Sequence, residues 1–163
     1  MAGIEVGAPD WVEHHLRLYL ESDGREGHLI DFSAKAGGYP NTPTLLLRTI
    51  GRKSGRPHIA PLIYGRWKAD WAIVGSRGGK SQHSAWYLNL CANPEVRFQA
   101  GGDKFAAVAR DAMEPERTEI WGYMATLFPT YADYRRATDR VIPVVLLSPS
   151  EKVARLEPEV SAR

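Results

Sequence analysis

The sequence contains a single cysteine, Cys91, among its 163 residues, and this scarcity excludes two kinds of structure. One thiol cannot form an internal disulfide, and it cannot supply the repeated thiolate ligands of a structural zinc site. It fits a reducing compartment, so we expect a cytoplasmic protein. The sequence also lacks any apolar run of about 20 residues, the length that a transmembrane helix needs. The first residues lack the basic and apolar regions of a signal peptide.

Several catalytic motifs are missing as well. The sequence has no G-x-S-x-G nucleophile motif, no G-x-G-x-x-G dinucleotide fingerprint, and no H-E-x-x-H spacing among its histidines. Gly79-Lys80-Ser81 resembles the end of a phosphate-binding P-loop, but the first glycine of that motif would fall on Val74. We therefore expect no metal site and no nucleoside triphosphatase. Any chemistry would have to come from a bound cofactor.

One long stretch has almost no acidic residues. Residues 43–85 contain eight Lys or Arg and one acid, Asp70, which gives a local charge of +7. Because the whole chain carries only +2, the remainder carries −5. Such segregation of charge indicates an anionic partner. Nucleic acid is not expected, because the overall charge is near neutral and the aromatic residues do not alternate with the basic ones.

The spacing of apolar residues predicts an α+β fold. A helix is expected over Trp11–Glu21, with Asp10 as its N-cap and Glu13 as the capping-box partner. Short connections between the first three strands predict an antiparallel meander, and hence an antiparallel barrel with peripheral helices rather than a doubly wound sheet. The predicted strands are 44–50, 58–67, 71–75, 96–100, 104–112 and 142–147, and the other helices are 81 or 84 to 93, 115–128 and 130–138.

The chain is expected to divide into three segments. Residues 1–43 would form an N-terminal helix and a loop that pack on the barrel, because residues 24–43 are rich in Gly and Pro. Residues 44–149 would form the barrel itself, and residues 150–163 a loosely held tail. Pro61, within a predicted strand, indicates an edge or a bulge.

Two loops concentrate the positive charge. The first carries Arg52, Lys53 and Arg56 beside two glycines, Gly51 and Gly55, whose flexible backbone lets N–H groups converge on an anion. A solvated hairpin turn is the alternative interpretation of this loop taken alone. The second loop, residues 76–80, precedes a predicted helix, where free N–H groups and the helix dipole favour an anion. Together the loops predict an anion held on main-chain amides.

Aromatic residues form a third feature near the end of the chain. Phe128, Tyr131 and Tyr134 are spaced by three, so on a helix they share one face. They could simply pack in the core, or they could line a partly hydrated pocket. In a pocket, the tyrosine hydroxyls could donate hydrogen bonds or protons.

Four segments carry a resemblance to a known family. GRKSGRP, APLIY, VGSRGGKSQHSAWYLNLCANPEV and FPTYADYRRATDRVIPVVLLSP follow one another between Thr44 and Pro149. In this order and spacing, the chain resembles the deazaflavin-dependent nitroreductase family of actinobacteria. The resemblance implies a split β-barrel of about six strands with three or four peripheral helices, related to flavin-binding pyridoxamine-phosphate oxidases. It also implies coenzyme F420, a deazaflavin with a phosphate and a polyglutamate tail.

The resemblance also implies which residues bind the coenzyme. Carried over by position, these are Arg52, Lys53 and Arg56 at the phosphate and acidic tail, Ser76, Arg77, Gly78 and Gly79 at the phosphate and ring edge, and Pro61, Trp86 and Asn89 at the ring. The sequence departs from the best-known member of the family at Arg77, which replaces a lysine, and at Ile63 and Phe128, which replace tyrosines. Activation of nitroimidazoles is therefore not carried over.

The implied activity is that of an F420-dependent reductase, transferring a hydride from the reduced coenzyme to a planar acceptor such as a quinone, an enone or a nitroaromatic. Phe128, Tyr131 and Tyr134 would wall the substrate pocket. Tyr134 or Tyr131 would donate a proton, with Ser76 as the alternative hydrogen-bond donor. An FMN-dependent oxidoreductase on the same barrel and a non-catalytic deazaflavin carrier are the alternatives. The expected partner is a small-molecule acceptor, with peripheral membrane contact if that acceptor is a lipid quinone, and the protein would be a monomer or a homodimer.

Overall fold

The centre of the molecule is an antiparallel β-barrel of six strands, seen in a computed structural model that describes residues 4–34 and 38–157. The barrel runs in the order β2-β3-β4-β7-β6-β5 and closes because β2 also pairs with β5. The strands are β1 (Leu29–Ile30), β2 (Thr42–Ile50), β3 (Pro57–Trp67), β4 (Asp70–Val74), β5 (Glu95–Ala100), β6 (Asp103–Asp111) and β7 (Val144–Lys152). Closure pairs most of the strand edges, while the first half of β3 keeps one open side.

Four helices lie outside the barrel: α1 (Trp11–Glu21), α2 (Ala85–Ala92), α3 (Glu116–Leu127) and α4 (Thr130–Arg136). This architecture confirms the predicted α+β split barrel with peripheral helices. The two-residue β1 adds a seventh strand beside β2. Among the helices of the described residues, none combines the length and the apolar character required to cross a membrane.

The alternation of side chains along the strands creates two separate cores. Leu45, Leu47 and Ile73 point into the barrel, where they pack around Trp71 and Phe98. On β4 and β7, the residues that alternate with the inward-pointing ones face outward and pack under α3 and α4. That outer core contains Ala72, Val74, Ile120, Met124, Phe128, Tyr131, Val144 and Leu146. Helix α3 also packs on the second half of β3, where Tyr123 contacts Trp67, so the first half of that strand remains to form a site.

A buried tyrosine fastens α1 to the barrel. The Tyr19 hydroxyl donates toward the carbonyl oxygens of Thr44, at 2.9 Å, and Gln99, at 3.2 Å, and accepts from the Gly101 N–H at 2.8 Å. Its ring has no exposed surface and packs on Leu46 and Leu156. One side chain therefore ties the helix to β2, to β5 and to the β5–β6 turn.

The prediction for α1 is right in its bounds and wrong in its cap. The helix spans Trp11–Glu21, but the backbone of Asp10 is left-handed, with φ of 60°, and its side chain makes no capping hydrogen bond. A left-handed residue cannot hold the extended backbone that an N-cap needs to aim its carboxylate at the first turn. The Glu13 carboxylate instead accepts from Arg17 at 3.2 Å, one turn along the helix.

The predicted loop and tail are more ordered than the sequence indicated. The loop 24–43 contains β1, and β2 already begins at Thr42. The predicted tail from residue 150 begins inside β7, and Leu156 is buried against Tyr19 because it completes an apolar cluster on the outside of β2. The rest of the tail, 158–163, and residues 35–37 of the loop lie outside the described residues.

We predict that Tyr19→Phe lowers the free energy of unfolding by about 1–3 kcal/mol, because it leaves buried backbone groups without their partner. Urea unfolding followed by circular dichroism measures the change. Tyr39→Phe is the matched control, since Tyr39 is 50% exposed, and it should shift the free energy by less than about 0.5 kcal/mol. Equal stability of the two variants would show that the hydroxyl does not fasten α1.

Candidate functional site

A cavity of about 440 Å³ lies on the outer face of the barrel, between β3, α1 and α4. Its walls combine apolar and aromatic side chains with a few polar groups, as is usual for small-molecule sites. The lining residues are Trp11, Val12, His15, Phe32, Thr44, Ala60, Pro61, Leu62, Ile63, Val74, Ser76, Arg77, Gly78, Ser84, Trp86, Phe128, Tyr131 and Tyr134. Eight of the residues predicted for the site are among them, from Pro61 to Tyr134.

The floor of the cavity is the half of β3 that has only one neighbour. Pro61 pairs with Leu46 of β2, whereas β4 pairs with β3 only from Tyr64 onward. The sequence prediction that Pro61 marks an edge is therefore confirmed. Proline is tolerated here because the open side of the strand has no ladder hydrogen bond to lose. The open side of β3 also exposes a flat apolar strip to the cavity.

The second basic loop forms one rim of the cavity as a turn of 3-10 helix, Arg77–Gly79. The backbone of Ser76 is right-handed helical, while Arg77, Gly78 and Gly79 have positive φ of 47°, 62° and 76°. A right-handed residue followed by a left-handed one points successive N–H groups to the same side, which makes a concavity for an anion. The loop precedes α2 as predicted, but it is not at the helix N-terminus, because residues 81–84 separate it from Ala85.

The first basic loop is a tight turn at the far end of β2 and β3. The Gly51 N–H donates to the Arg56 carbonyl at 2.8 Å, so the turn closes on itself and presents Arg52, Lys53 and Arg56 to solvent. Asn89 of α2 holds this turn: its Oδ1 accepts from the Arg52 N–H at 3.1 Å and from the Arg52 side chain at 3.3 Å. The structure therefore brings Asn89 to the turn and not to the cavity wall.

The two basic loops border one surface. Pro57 and Pro61 are four residues apart on β3, which places the first turn about 13 Å from the cavity floor. Helix α2 spans the same interval, since Trp86 lines the cavity and Asn89 contacts the turn. The second loop lines the cavity itself, so the cavity has one basic loop at its rim and a basic turn at a distance.

An aromatic wall faces Pro61. Phe128 and Tyr131 meet edge to face with centroids 5.1 Å apart, and Tyr134 lies 6.4–6.5 Å from both. Phe32 continues the wall at 5.2 Å from Phe128, and Trp11 follows at 6.1 Å. Phe128 and Tyr131 are buried and also belong to the outer core, so these two side chains both pack in the core and line the cavity.

Burial controls the ionisation of the groups around the cavity. Burial, with a smaller effect of Tyr134, raises the pKa of Tyr131, which keeps its phenol protonated. Burial lowers the pKa of His15, even though the ring contacts the Gly27 carbonyl at 2.8 Å. The cavity therefore presents neutral polar groups on the wall opposite the basic loop.

Sequence reasoning missed one whole side of the cavity. Trp11, Val12 and His15 of α1 and Phe32 line it, although α1 was predicted to serve packing alone. It also missed Arg140, whose guanidinium donates to the carbonyls of the second loop. Nothing in the periodicity distinguishes these residues from core or surface positions, because their role depends on contacts between distant segments.

Neither a metal nor a disulfide is indicated in the part of the chain that the structure describes. No group of three or more His, Cys, Asp or Glu residues there is arranged to hold a metal ion. Cys91 is a free, exposed thiol. The polar groups at the cavity are hydroxyls, imidazole, main-chain amides and guanidinium, which suit an organic anion rather than a cation.

We predict that Gly79→Ala destabilises the protein more than Gly78→Ala. A Cβ at position 79 would lie 2.9 Å from the Tyr134 carbonyl oxygen and 3.0 Å from the Ala137 Cβ, whereas one at position 78 meets nothing within 4 Å. Both substitutions share the cost of a positive φ, so the difference measures the contact with α4. We expect a further loss of about 1–3 kcal/mol for Gly79→Ala in urea unfolding. Equal losses would contradict the close approach.

Comparison with known proteins identifies relatives that match most of the chain. A model of the F420H2-dependent quinone reductase family matches residues 11–149. The F420H2-dependent quinone reductase Rv1261c of Mycobacterium tuberculosis is 35% identical over 150 residues, covering 85% of this chain and 95% of that protein.

Two solved structures agree with this match. An F420H2-dependent reductase named FDR-A is 37% identical with a TM-score of 0.60, covering 64% of this chain and 93% of that one. A chain described as a domain-swapped dimer is 34% identical with a TM-score of 0.63, covering 85% and 97%. The match spans α1, the barrel, the basic turn, the second loop and α4, so the chain belongs to the F420H2-dependent quinone reductase family.

Proposed function

We propose that this protein is an F420-dependent reductase that transfers a hydride from reduced coenzyme F420 to a quinone. The observation that carries the proposal is the aromatic cavity with the second basic loop at its rim and the basic turn about 13 Å from its floor, in a member of this family. A flat ring joined to a phosphate and then to an acidic tail matches these three parts. Neither basic loop alone would require such a ligand.

The basic turn, the second loop and the cavity each have a task in the proposal. Arg52, Lys53 and Arg56 hold the acidic tail, because all three are exposed on one short turn and have several donors each. Main-chain amides at Arg77 and Gly78 and the Arg77 guanidinium hold the phosphate, since the Gly79 N–H already donates to the Ser76 carbonyl at 2.9 Å. Asn89 acts on the turn, by fixing the Arg52 backbone, rather than on the ring.

The ring belongs in the cavity between Pro61 and the aromatic wall. Pro61 and Trp86 offer flat apolar contact, and Trp86 is buried with only 5% of its surface exposed. When bound, the reduced coenzyme would supply a hydride, and one proton from a side chain of the protein would complete the conversion of a quinone into a hydroquinone. The protein's contribution is to hold the two planar molecules in contact and to exclude water from the space between them.

Tyr134 is the better proton donor of the two tyrosines proposed. Tyr131 is buried in the outer core and its pKa is raised, so its hydroxyl releases a proton less readily. The same burial prevents direct proton exchange with solvent. Tyr134 lines the same cavity but is only partly buried. A donor that must be reprotonated after each turnover needs contact with water, and Ser76, which is buried, serves better as a hydrogen-bond donor to the bound molecules.

The alternatives are weaker on the same observations. FMN has one phosphate and no acidic tail, so it would leave the basic turn without a ligand. A carrier without activity would not need an aromatic cavity beside the ring. A lipid quinone as the acceptor would bring the protein to a membrane surface. The expected assembly is a monomer or a homodimer.

Titration of the purified protein with F420, followed by the coenzyme's fluorescence, tests the proposal at the binding step. Bleaching or recovery of that fluorescence with a quinone, an enone and a nitroaromatic then tests the reaction. We expect saturable F420 binding and quinone-dependent oxidation of the reduced coenzyme. A protein that is yellow as purified, binds no F420 and is reduced by a nicotinamide would favour the FMN alternative and contradict the proposal.

Neutralising the basic turn should weaken coenzyme binding. The triple variant Arg52→Gln, Lys53→Gln, Arg56→Gln should raise the Kd for F420 by about 10- to 100-fold, since each exposed ion pair contributes up to about 1 kcal/mol. It should also flatten the dependence of Kd on salt. The control changes three other exposed cations, Arg17, Arg136 and Lys152, to Gln. If the control weakens binding equally, the turn has no specific role.

The proton donor can be tested by removing each hydroxyl in turn. Tyr134→Phe should lower kcat by about 10- to 1,000-fold while leaving the Kd for F420 nearly unchanged. Tyr131→Phe should leave the pH profile of kcat as it is, because that hydroxyl does not exchange its proton. Steady-state rates across pH measure both. Full turnover by Tyr134→Phe with an unaltered pH profile would remove Tyr134 from the role.

A further inference from the structure

One arginine that the proposed reaction has not used holds the second basic loop at both ends. Arg140 lies between α4 and β7. Its Nη1 donates to the Gly75 carbonyl at 3.1 Å, its Nη2 to the Ser76 carbonyl at 2.8 Å, and its Nε to the Lys80 carbonyl at 3.1 Å. The carbonyls before and after the 3-10 turn are thus joined through a single planar group.

A fourth contact completes the arrangement. Arg140 Nη1 lies 2.9 Å from His83 Nδ1, which must accept, so the neutral imidazole carries its proton on Nε2. Burial, and next the charge of Arg140, lower the pKa of His83, which favours this neutral form. The Arg77 side chain reaches the His83 carbonyl at 3.5 Å, so both guanidinium groups converge on the same short segment.

The geometry of the loop explains why such a clamp is needed. Three consecutive residues with positive φ, Arg77 to Gly79, make a conformation that isolated chains rarely adopt. Fixing the carbonyls at both ends holds the turn in the form whose N–H groups face one side. Lysine could not replace the arginine, because an ammonium is a point donor without the planar fork that reaches three carbonyls in fixed directions.

We propose that Arg140 is the positioning residue of this loop, holding it in the form that binds the phosphate group of the coenzyme. The proposal rests on the proposed function for the identity of the ligand, but not for the clamp itself. Arg140 also adds a second positive charge beside Arg77, and the two are close enough that Arg77 contributes to a lowered pKa of Arg140, after burial. Two cations can lie this close together where they bind an anion between or beside them.

The experiment compares Arg140→Gln and Arg140→Lys with Arg136→Gln. Arg136 is an exposed arginine on α4 that pairs with Asp133, and its loss gives the same change of charge. The first measurement is the Kd for F420 from its fluorescence. The second is the rate at which trypsin cleaves after Lys80, followed by mass spectrometry without coenzyme and with inorganic pyrophosphate.

We expect Arg140→Gln to raise the Kd at least tenfold and to speed cleavage after Lys80 several-fold, and Arg140→Lys to do nearly the same despite its retained charge. Pyrophosphate should slow cleavage in the original protein and in Arg136→Gln, but not in the Arg140 variants. Urea unfolding shows whether each variant is folded. If Arg140→Gln does not fold, Arg140→Lys decides the question by the same two measurements.

Three results would overturn the inference. Binding by Arg140→Lys that equals the original would mean that charge alone matters. Faster cleavage with an unchanged Kd would mean that the loop is held but does not bind the coenzyme. Unchanged cleavage in Arg140→Gln would mean that the arginine does not hold the loop. If the original protein binds no F420, the proposed function fails, while the cleavage and pyrophosphate measurements still decide whether Arg140 shapes an anion-binding loop.

Discussion

The pairing of β2 with two strands at once is the constraint on which the other features depend. Its residues pair with β3 on one side and with β5 on the other, which closes the barrel and fixes the register of both neighbours. Leu46 sits opposite Pro61 and also opposite Gln99. A shift of one residue would turn Leu45 and Leu47 out of the barrel and expose them, so the register is strongly specified. The position of the cavity floor and the position of the basic turn both follow from it.

The site combines this fixed sheet with segments that are attached to it by few interactions. The turn of Arg52 is held by the Asn89 amide, whose Nδ2 also donates to Thr49 Oγ1 at 3.1 Å. The second loop is held by Arg140, and α1 by the Tyr19 hydroxyl. In each case one buried or half-buried polar side chain makes several hydrogen bonds. Such contacts give orientation to a loop that has little apolar surface to bury.

The barrel could be predicted from the sequence because its signals are local. Apolar runs such as Leu45–Leu47, bounded by Gly and Pro, predict the strands to within two or three residues of their observed bounds. The last strand is the exception. It continues past Pro149 to Lys152, with a register irregularity beside Ala106 and Ala107. Proline usually ends a strand, and the sequence gives no sign that a bulge will accommodate it.

The site was predictable only in part, for a physical reason. The residues of the basic loops and of the aromatic helix stand out by type and spacing, and Arg77, Trp86 and Tyr134 do meet in one cavity. The roles of Arg140, Trp11 and Phe32 arise from contacts between segments far apart in the chain, which leave no periodic trace. The misplaced Asp10 cap has the same origin, because the approach of the chain to α1 fixes its backbone.

The attachment of α1 has a consequence for how such proteins diversify. The wall formed by Trp11, Val12 and Phe32 lies outside the barrel, whereas the floor formed by Pro61 belongs to it. Substitutions in the wall can reshape the space for an incoming molecule without disturbing the strand pairing that seats the coenzyme. In the proposed function, the N-terminal segment is therefore the part of the chain in which the space for the acceptor can change while the coenzyme site is kept.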